Sequence, residues 1–272
     1  MEISRVLIIA PAFEQRISKM AYQLKQLGVF CEVLAEEALV AEEFKDYIKG
    51  IPFSIFPISD RLKRTPFGKK RNRYLKEKIK SSIPVEGNLI IIARDVNYGC
   101  IIGKIIKKIN SEKVYLVTDI ADNYDLLYAS YRNYIKRVLL KLGFNYLTKT
   151  AFFCSDALII VTPVNYSRIR KVYPKITDKP IFVLRNLPLE YKFLNNNNKL
   201  ENSFVYVGKI DEISRDPLYI LEQLTKLENY TLHFYSSQKE STIEKIRRMA
   251  ESYGISNRVI FHERVPYDQL AK

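Results

Sequence analysis

The apolar positions of this chain switch repeatedly between two periods. Residues 6–10 form a short β-rich run. Ile17, Ala21, Leu24 and Leu27 then recur at helical spacing, and Gly28 is placed as a C-terminal stop. Residues 30–34 read as strand, and Phe44 with Ile48 marks a short helix. Residues 53–58 read as a strand weakened by Pro57. Residues 89–93 are continuously apolar, the pattern of a strand covered on both faces. A stripe of Ile102, Ile105, Ile106 and Ile109 predicts the next helix, and residues 113–118 return to strand. Residues 131–153 predict a long basic amphipathic helix, followed by strand at 157–162, helix at 164–173 and strand at 180–184.

Alternation of this kind predicts an open parallel α/β sheet, because each crossover helix must cover a face of the strands it joins. The asparagine run Asn195 to Asn198 interrupts the pattern, and residues 193–202 read as a linker between residues 1–192 and 203–272. A second α/β unit begins with a strand at 204–207 that ends at Gly208. Asp216 and Pro217 are an N-cap and first-turn proline for a helix carrying Leu218, Leu221, Leu224 and Leu227. Strands at 232–235 and 258–261 enclose a helix with Ile243, Ile246, Ala250 and Tyr253 on one stripe, closed by Gly254. Residues 266–272 begin a further helix. The fold class is therefore α/β, with two Rossmann-like domains of which the second is incomplete.

With 272 residues, 47% of them hydrophobic, the chain is long enough for two packed cores. No apolar run approaches the roughly 20 residues of a membrane span. The N-terminus has neither the basic lead nor the apolar stretch of a secretory signal. Cys31, Cys100 and Cys154 lie in apolar contexts and read as reduced core thiols of a cytoplasmic protein. Lysine and arginine total 44 against 30 acids, a net charge of +14 that suits an anionic partner or reflects a basic proteome. The charge concentrates in residues 61–80, a flexible arm or basic helix in which Glu77 is the one acid. A nucleic-acid partner rests on charge alone, since no recognised binding motif accompanies it, and is not expected.

Several chemistries are set aside. The chain has no nucleophile elbow, no phosphate-binding Walker loop and no spacing suited to a metal, so no cofactor is expected. Its two histidines, His233 and His262, fall in or beside strands. Gly99 and Gly103 suit close backbone packing. The turn after residue 207 is more informative. Gly208-Lys209 is followed after five residues by Arg215, at the threshold of the helix that opens near Pro217. A helix N-terminus favours a phosphate, and two flanking cations could grip a diphosphate. The same residues also make an ordinary turn with two solvated charges.

The stretch Phe204-Val-Tyr-Val-Gly-Lys209 with Arg215 resembles the donor half of a GT-B glycosyltransferase, of the large retaining group 1 or family 4 type. So do residues 232–236, 246–261 and 264–270. The resemblance implies that Gly208, Lys209 and Arg215 hold the donor diphosphate, and that Arg264 and Val265 contact the nucleotide base. The N-terminal half resembles the family's acceptor domain more loosely, through residues 155–162, residues 182–186 and Val114-Tyr-Leu-Val-Thr-Asp119. Asp119 stands where relatives place a residue that faces the donor sugar. With Asp122, it could equally cap the next helix.

The chain departs from the family at Pro11-Ala-Phe-Glu-Gln15, where many relatives have a glycine-rich loop. It departs again at Ser236-Ser237 and at Asp216, and the family's paired glutamates fall beyond residue 272. The implied function is retaining transfer of a sugar from a nucleotide diphosphate donor to a glycan or lipid-linked acceptor in polysaccharide biosynthesis. Asp119, Lys209 and Arg215 would be the catalytic set. Arg61, Lys63, Arg64, Lys69, Lys70, Arg71 and Arg73 would form an acceptor or membrane patch at the inner face of an anionic membrane. The alternative is a truncated, non-catalytic relative that acts as a binding module.

Overall fold

The computed structural model describes residues 3–38, 45–56, 68–120, 134–174, 178–185, 201–208, 217–235, 240–263 and 265. The chain divides into two compact units, Met1–Leu189 and Glu190–Lys272. In the first, the elements run β1 (Ile3–Phe13), α1 (Gln15–Gln26), β2 (Cys31–Ala38), α2 (Lys45–Ile48), β3 (Phe53–Ile55) and α3 (Lys69–Ser82). They continue with β4 (Asn88–Arg94), α4 (Asp95–Ile109), β5 (Val114–Ile120), α5 (Tyr134–Cys154), β6 (Ala157–Ile160), α6 (Pro163–Val172) and β7 (Ile181–Val183). The strands form one seven-stranded sheet in the order β3-β2-β1-β4-β5-β6-β7. Every pairing in it is parallel.

That order decides which face each helix covers. Right-handed crossovers that move outward from β1 to β3 place α1 and α2 on one face. Crossovers that move the other way from β4 place their helices on the opposite face. The two cores follow. Ile17, Met20 and Ala21 of α1 pack on Val6, Ile8, Val33 and Ile92. Leu75 and Ile79 of α3, with Tyr98, Ile101 and Ile102 of α4, pack on Leu7, Leu34, Leu89, Ile91 and Leu116. Gly28, at φ 72°, ends α1 in the left-handed conformation that glycine adopts without steric cost.

The basic run resolves into α3 from Lys69 onward, while Arg61, Lys63 and Arg64 lie outside the described residues. One face of β2 presents Glu32, Leu34 and Glu36, and α3 answers it in antiparallel order. Lys78 pairs with Glu32 at 2.6 Å, Leu75 and Ile79 share a core with Leu34, and Arg71 approaches Glu36 at 3.6 Å. Tyr98 donates its phenolic hydrogen to the same Glu36 carboxylate, and burial first, then this carboxylate, raises the phenol's pKa. Arg71 is 2% exposed. Its expected place in a surface patch is therefore corrected: it neutralises a buried glutamate and seats α3. Lys69, Lys70 and Arg73 remain exposed.

Helices α4 and α5 meet where the sequence places glycines. A methyl group at Gly99 would lie 2.5 Å from Thr118 Oγ1 and 2.9 Å from Ala151 Cβ, and one at Gly103 would run into Cys154 Cβ. The carboxyl end of α5 is closed by Lys179. Its ammonium donates to the carbonyls of Phe152 at 2.8 Å, Phe153 at 3.0 Å and Ser155, a cation placed at the negative end of a helix dipole. Among the described residues, no helix is long and apolar enough to cross a membrane.

The second unit holds β8 (Ser203–Val207), α7 (Pro217–Thr225), β9 (Thr231–Tyr235), α8 (Glu240–Ser252) and β10 (Val259–His262). Its three strands are parallel in the order β10-β9-β8. Both crossovers move the same way, so both helices lie on one face, where Leu221, Leu224, Ile246 and Ala250 pack on Leu232, Phe234 and Val259. The other face carries Val205, Val207, His233, Tyr235, Ile260 and His262. Residues 193–200 of the expected linker and the expected helix at 266–272 lie outside the described residues.

The glycine contacts give a three-way prediction. Gly99→Ala and Gly103→Ala should each destabilise the protein by about 1–3 kcal/mol through overpacking. Gly143→Ala, on α5 with open space around it, should stabilise it by about 0.5–1 kcal/mol. Urea denaturation of the three variants reads both signs.

Candidate functional site

Ligands of open α/β sheets bind beyond the carboxyl ends of the strands, where the strand order reverses direction. In the first unit that point lies between β1 and β4. Four charged side chains converge there. Glu14 sits in the single-residue connection between β1 and α1, Arg16 in the first turn of α1, Arg94 at the end of β4 and Asp119 near the end of β5. Arg94 and Asp119 are neighbours in the β4–β5 register. Alternation along the strands points both toward the face that α1 covers.

Asp119 is fully buried, and Arg16 and Arg94 are 7% and 9% exposed. Arg16 grips the carboxylate in a fork, Nε donating to Oδ2 at 2.9 Å and Nη2 to Oδ1 at 2.7 Å. Its Nη1 donates to the Leu184 carbonyl at 3.2 Å, which ties α1 to the chain leaving β7. Arg94 is held more loosely. It donates from Nη1 to Asp119 Oδ2 at 3.4 Å and from Nη2 to Glu14 Oε1 at 3.4 Å. Lys19, one turn along α1 from Arg16, is 9% exposed, and burial together with Arg16's charge lowers its pKa.

Local preferences are broken at this edge. The first turn of α1 contains no acid although the helix dipole favours one, and Arg16 stands there instead. Asp95, the first residue of α4, has φ 69°, a left-handed conformation unfavourable for a residue with a Cβ. Its carboxylate accepts from the amides of Asn97 at 2.8 Å and Tyr98 at 3.2 Å, so it caps its own helix. Departures from local preference concentrate at functional edges.

The sequence singles out Asp119 in this cluster but not its partners. Asp119 lies within β5, not beyond it, and both of its oxygens are engaged by guanidinium groups. Asp122 lies outside the described residues. The available signal for Arg94 is a charge closing the apolar run Leu89-Ile-Ile-Ile-Ala93. For Arg16 it is a base where a helix prefers an acid. The segment Pro11 to Phe13, read against a glycine-rich loop in relatives, continues β1.

In the second unit the register aligns Val207, Tyr235 and His262, so Gly208 leaves the sheet at its carboxyl edge. Gly208 has φ 140°, which residues with side chains rarely adopt, and its amide donates to the Tyr235 carbonyl at 3.1 Å. That amide is spent on the sheet and is not a donor left over for a ligand. Val265 follows β10 and is half-buried, whereas Lys209, Arg215 and Arg264 lie outside the described residues. Tyr235 and His262 stack with centroids 4.3 Å apart, and His233 Nδ1 lies 2.9 Å from His262 Nε2. Burial, then His262, lowers the pKa of His233. Among the described residues, no three His, Cys, Asp or Glu side chains cluster to hold a metal.

No protein-family model matches the chain, and no curated protein matches it by sequence. Solved structures do match it. The lipopolysaccharide outer core galactosyltransferase WaaB, in its apo form, aligns at a TM-score of 0.61 and 15% identity, covering 96% of this chain and 68% of its own. HepE from Anabaena, solved with UDP and glucose, aligns at 0.61 and 12% identity over 98% of this chain and 70% of its own. The UDP-GlcNAc 2-epimerase of Methanocaldococcus jannaschii aligns at 0.54 and 12% identity, over 98% and 75%. At these identities the likeness establishes the fold: two Rossmann-like units of the GT-B class.

Removing one partner of a buried ion pair leaves uncompensated charge and costs about 3–5 kcal/mol. Asp119→Ala should therefore lower stability by about that much, read as a shift of the urea midpoint, while the exposed Arg248→Ala should change it by less than about 0.5 kcal/mol. An Asp119→Ala loss below about 1 kcal/mol would mean that the network is solvated like a surface pair.

Proposed function

We propose that this protein transfers a sugar from a nucleoside diphosphate donor to a glycan or lipid-linked acceptor, with retention and without a metal ion. The support for the reading is Gly208 at the carboxyl edge of the second sheet, with the sequence that follows it, in a chain whose fold is GT-B. Gly208 directs the backbone out of the sheet, Lys209 and Arg215 follow in sequence, and α7 begins at Pro217. Negative charge grows on the departing diphosphate as the glycosidic bond breaks, and two cations beside a helix N-terminus would stabilise it. Arg264 and Val265, after β10, would meet the base. HepE, solved with UDP and glucose, makes a uridine diphosphate sugar the first donor to try.

Asp119 enters this scheme as a positioning residue. With both oxygens held, it fixes Arg16 and Arg94 at the edge of the first sheet rather than meeting the sugar itself. An epimerase shares the fold over 98% of this chain, so the reaction is decided by the product. Sugar appearing on an added acceptor supports transfer, whereas an altered sugar nucleotide with no acceptor modified overturns it.

The acceptor side is assigned to an anionic membrane through α5, at the cytoplasmic face, in a polysaccharide pathway. Tyr134, Ile135, Leu139, Leu142 and Tyr146 are 51–70% exposed along it. Lys136, Arg137, Lys141 and Lys149 are exposed beside them, and residues 134–154 contain no acid. An apolar stripe flanked by bases is the pattern of a helix lying in a bilayer interface, where each base adds about 1 kcal/mol. Lys69, Lys70 and Arg73 add exposed charge on the same unit.

Two outcomes test these assignments. Lys209→Ala combined with Arg215→Ala should abolish calorimetric binding of UDP or GDP to the full chain, and unchanged affinity would refute the cation pair. Leu139→Glu with Leu142→Glu should remove most of the protein from sedimenting vesicles of phosphatidylglycerol while leaving UDP affinity unaltered. Equal sedimentation of wild type and variant would refute the α5 assignment.

A further inference from the structure

The four-residue cluster at the end of β4 contains an asymmetry that the transfer reading does not use. Arg16 has all three of its guanidinium nitrogens engaged, two on Asp119 and one on the Leu184 carbonyl. Arg94 is nearly as buried, yet its hydrogen bonds are two, both 3.4 Å long, beyond the usual 2.7–3.2 Å range. A guanidinium carries five N–H donors. Most of Arg94's donor capacity is therefore uncommitted among the described residues, at the one point of the sheet where ligands of this architecture bind.

The partners divide by burial. Asp119, at 0% exposure, cannot leave, because its charge would stay buried without compensation. Glu14 has a side chain 44% exposed and can turn into water at little cost. A carboxylate resting at 3.4 Å on an arginine whose other hydrogen bond, to Asp119, is equally long occupies the place of an external oxyanion without holding it tightly. Arginine suits a phosphate oxyanion best, since its planar fork matches two oxygens at once. Lys19, one turn along α1 from Arg16, adds a third base, so Arg16, Lys19 and Arg94 equal Glu14, Asp95 and Asp119 in number.

We propose that Arg94 is the anion-binding residue of the first unit, taking a phosphate-class oxyanion in place of Glu14 while Asp119, itself gripped by Arg16, holds Arg94 in position. The phosphate could belong to the acceptor or to the donor diphosphate, and the chemistry recognised is the same. The inference goes beyond the transfer reading, since it concerns a site built wholly from the first unit.

The test titrates inorganic phosphate into the full chain by calorimetry at low ionic strength, with UDP titrated in parallel. Glu14→Gln removes the competing charge without touching a buried cation, so phosphate should bind it several-fold more tightly than wild type. Arg94→Gln should weaken phosphate by about tenfold or more, the value of a charge-assisted pair, and Arg94→Lys should recover only part of that loss. Phosphate affinity unchanged in Glu14→Gln overturns the displacement, and equal affinity in wild type and a folded Arg94→Gln overturns the site. If UDP weakens in step with phosphate in Arg94→Gln, the donor supplies the oxyanion; if UDP is unaffected, the acceptor does. Loss of UDP binding in the Lys209 and Arg215 variant, with phosphate binding intact, would separate the fate of this site from that of the transfer reading.

Discussion

A carboxylate with no solvent exposure stays charged only where cations replace the water it has lost, and Asp119 is placed under that constraint. Its compensation comes from two arginines on different elements. Arg16 descends from the first turn of α1, and Arg94 lies beside Asp119 on the adjoining strand. Holding Arg16 fixes the entry of α1, whose apolar stripe then covers Val6, Ile8 and Ile92. The bond from Arg16 to the Leu184 carbonyl extends the hold to the strand at the far edge. One buried charge thus coordinates the loops that an open sheet offers to a ligand, and it does so with donors that a neutral residue could not engage as strongly.

The same accounting changes the meaning of the chain's +14. A basic sequence suggests a basic surface, but β2 carries two buried glutamates that consume part of the charge on α3. Glu32 takes Arg5 and Lys78, and Glu36 takes Arg71. Helix α5 contains no acid of its own, and its Lys136, Arg137, Lys141 and Lys149 are exposed beside an apolar stripe. Charge that is neutralised inside organises the fold. Charge left at the surface, next to Leu139 and Leu142, lies where a partner would dock.

Much of the fold was legible because periodicity and punctuation are local. The apolar run at 89–93 became β4, the glycines at 28 and 254 both stand at positive φ at helix ends, and Gly99 and Gly103 became the point of close helix approach. What escaped was pairing between distant segments. Nothing near Arg71 in the chain announces Glu36, and nothing near Asp119 announces Arg16, which lies 103 residues away. Asp119 was found through a family likeness, and its environment came from sheet order, which one sequence does not display. At the carboxyl edge of the second sheet Gly208 and Val265 are described, while Lys209, Arg215 and Arg264 lie outside the described residues, and their roles are what the family resemblance implies.

Sheet order also explains why a shared fold leaves the reaction open. Parallel strands with right-handed crossovers deliver their loops to one edge whatever the loops contain. The alignment to a galactosyltransferase and to a UDP-GlcNAc 2-epimerase at comparable TM-scores is a consequence of that geometry. Chemistry is then decided by which charges the edge holds and how firmly. In this chain the first strand runs on through Phe13, directly into Glu14 and Arg16. A glycine loop offers backbone amides to a ligand. A charged network offers one loosely held guanidinium, set in place by a second that is fully committed, and such an edge selects for oxyanions through side chains rather than through the backbone.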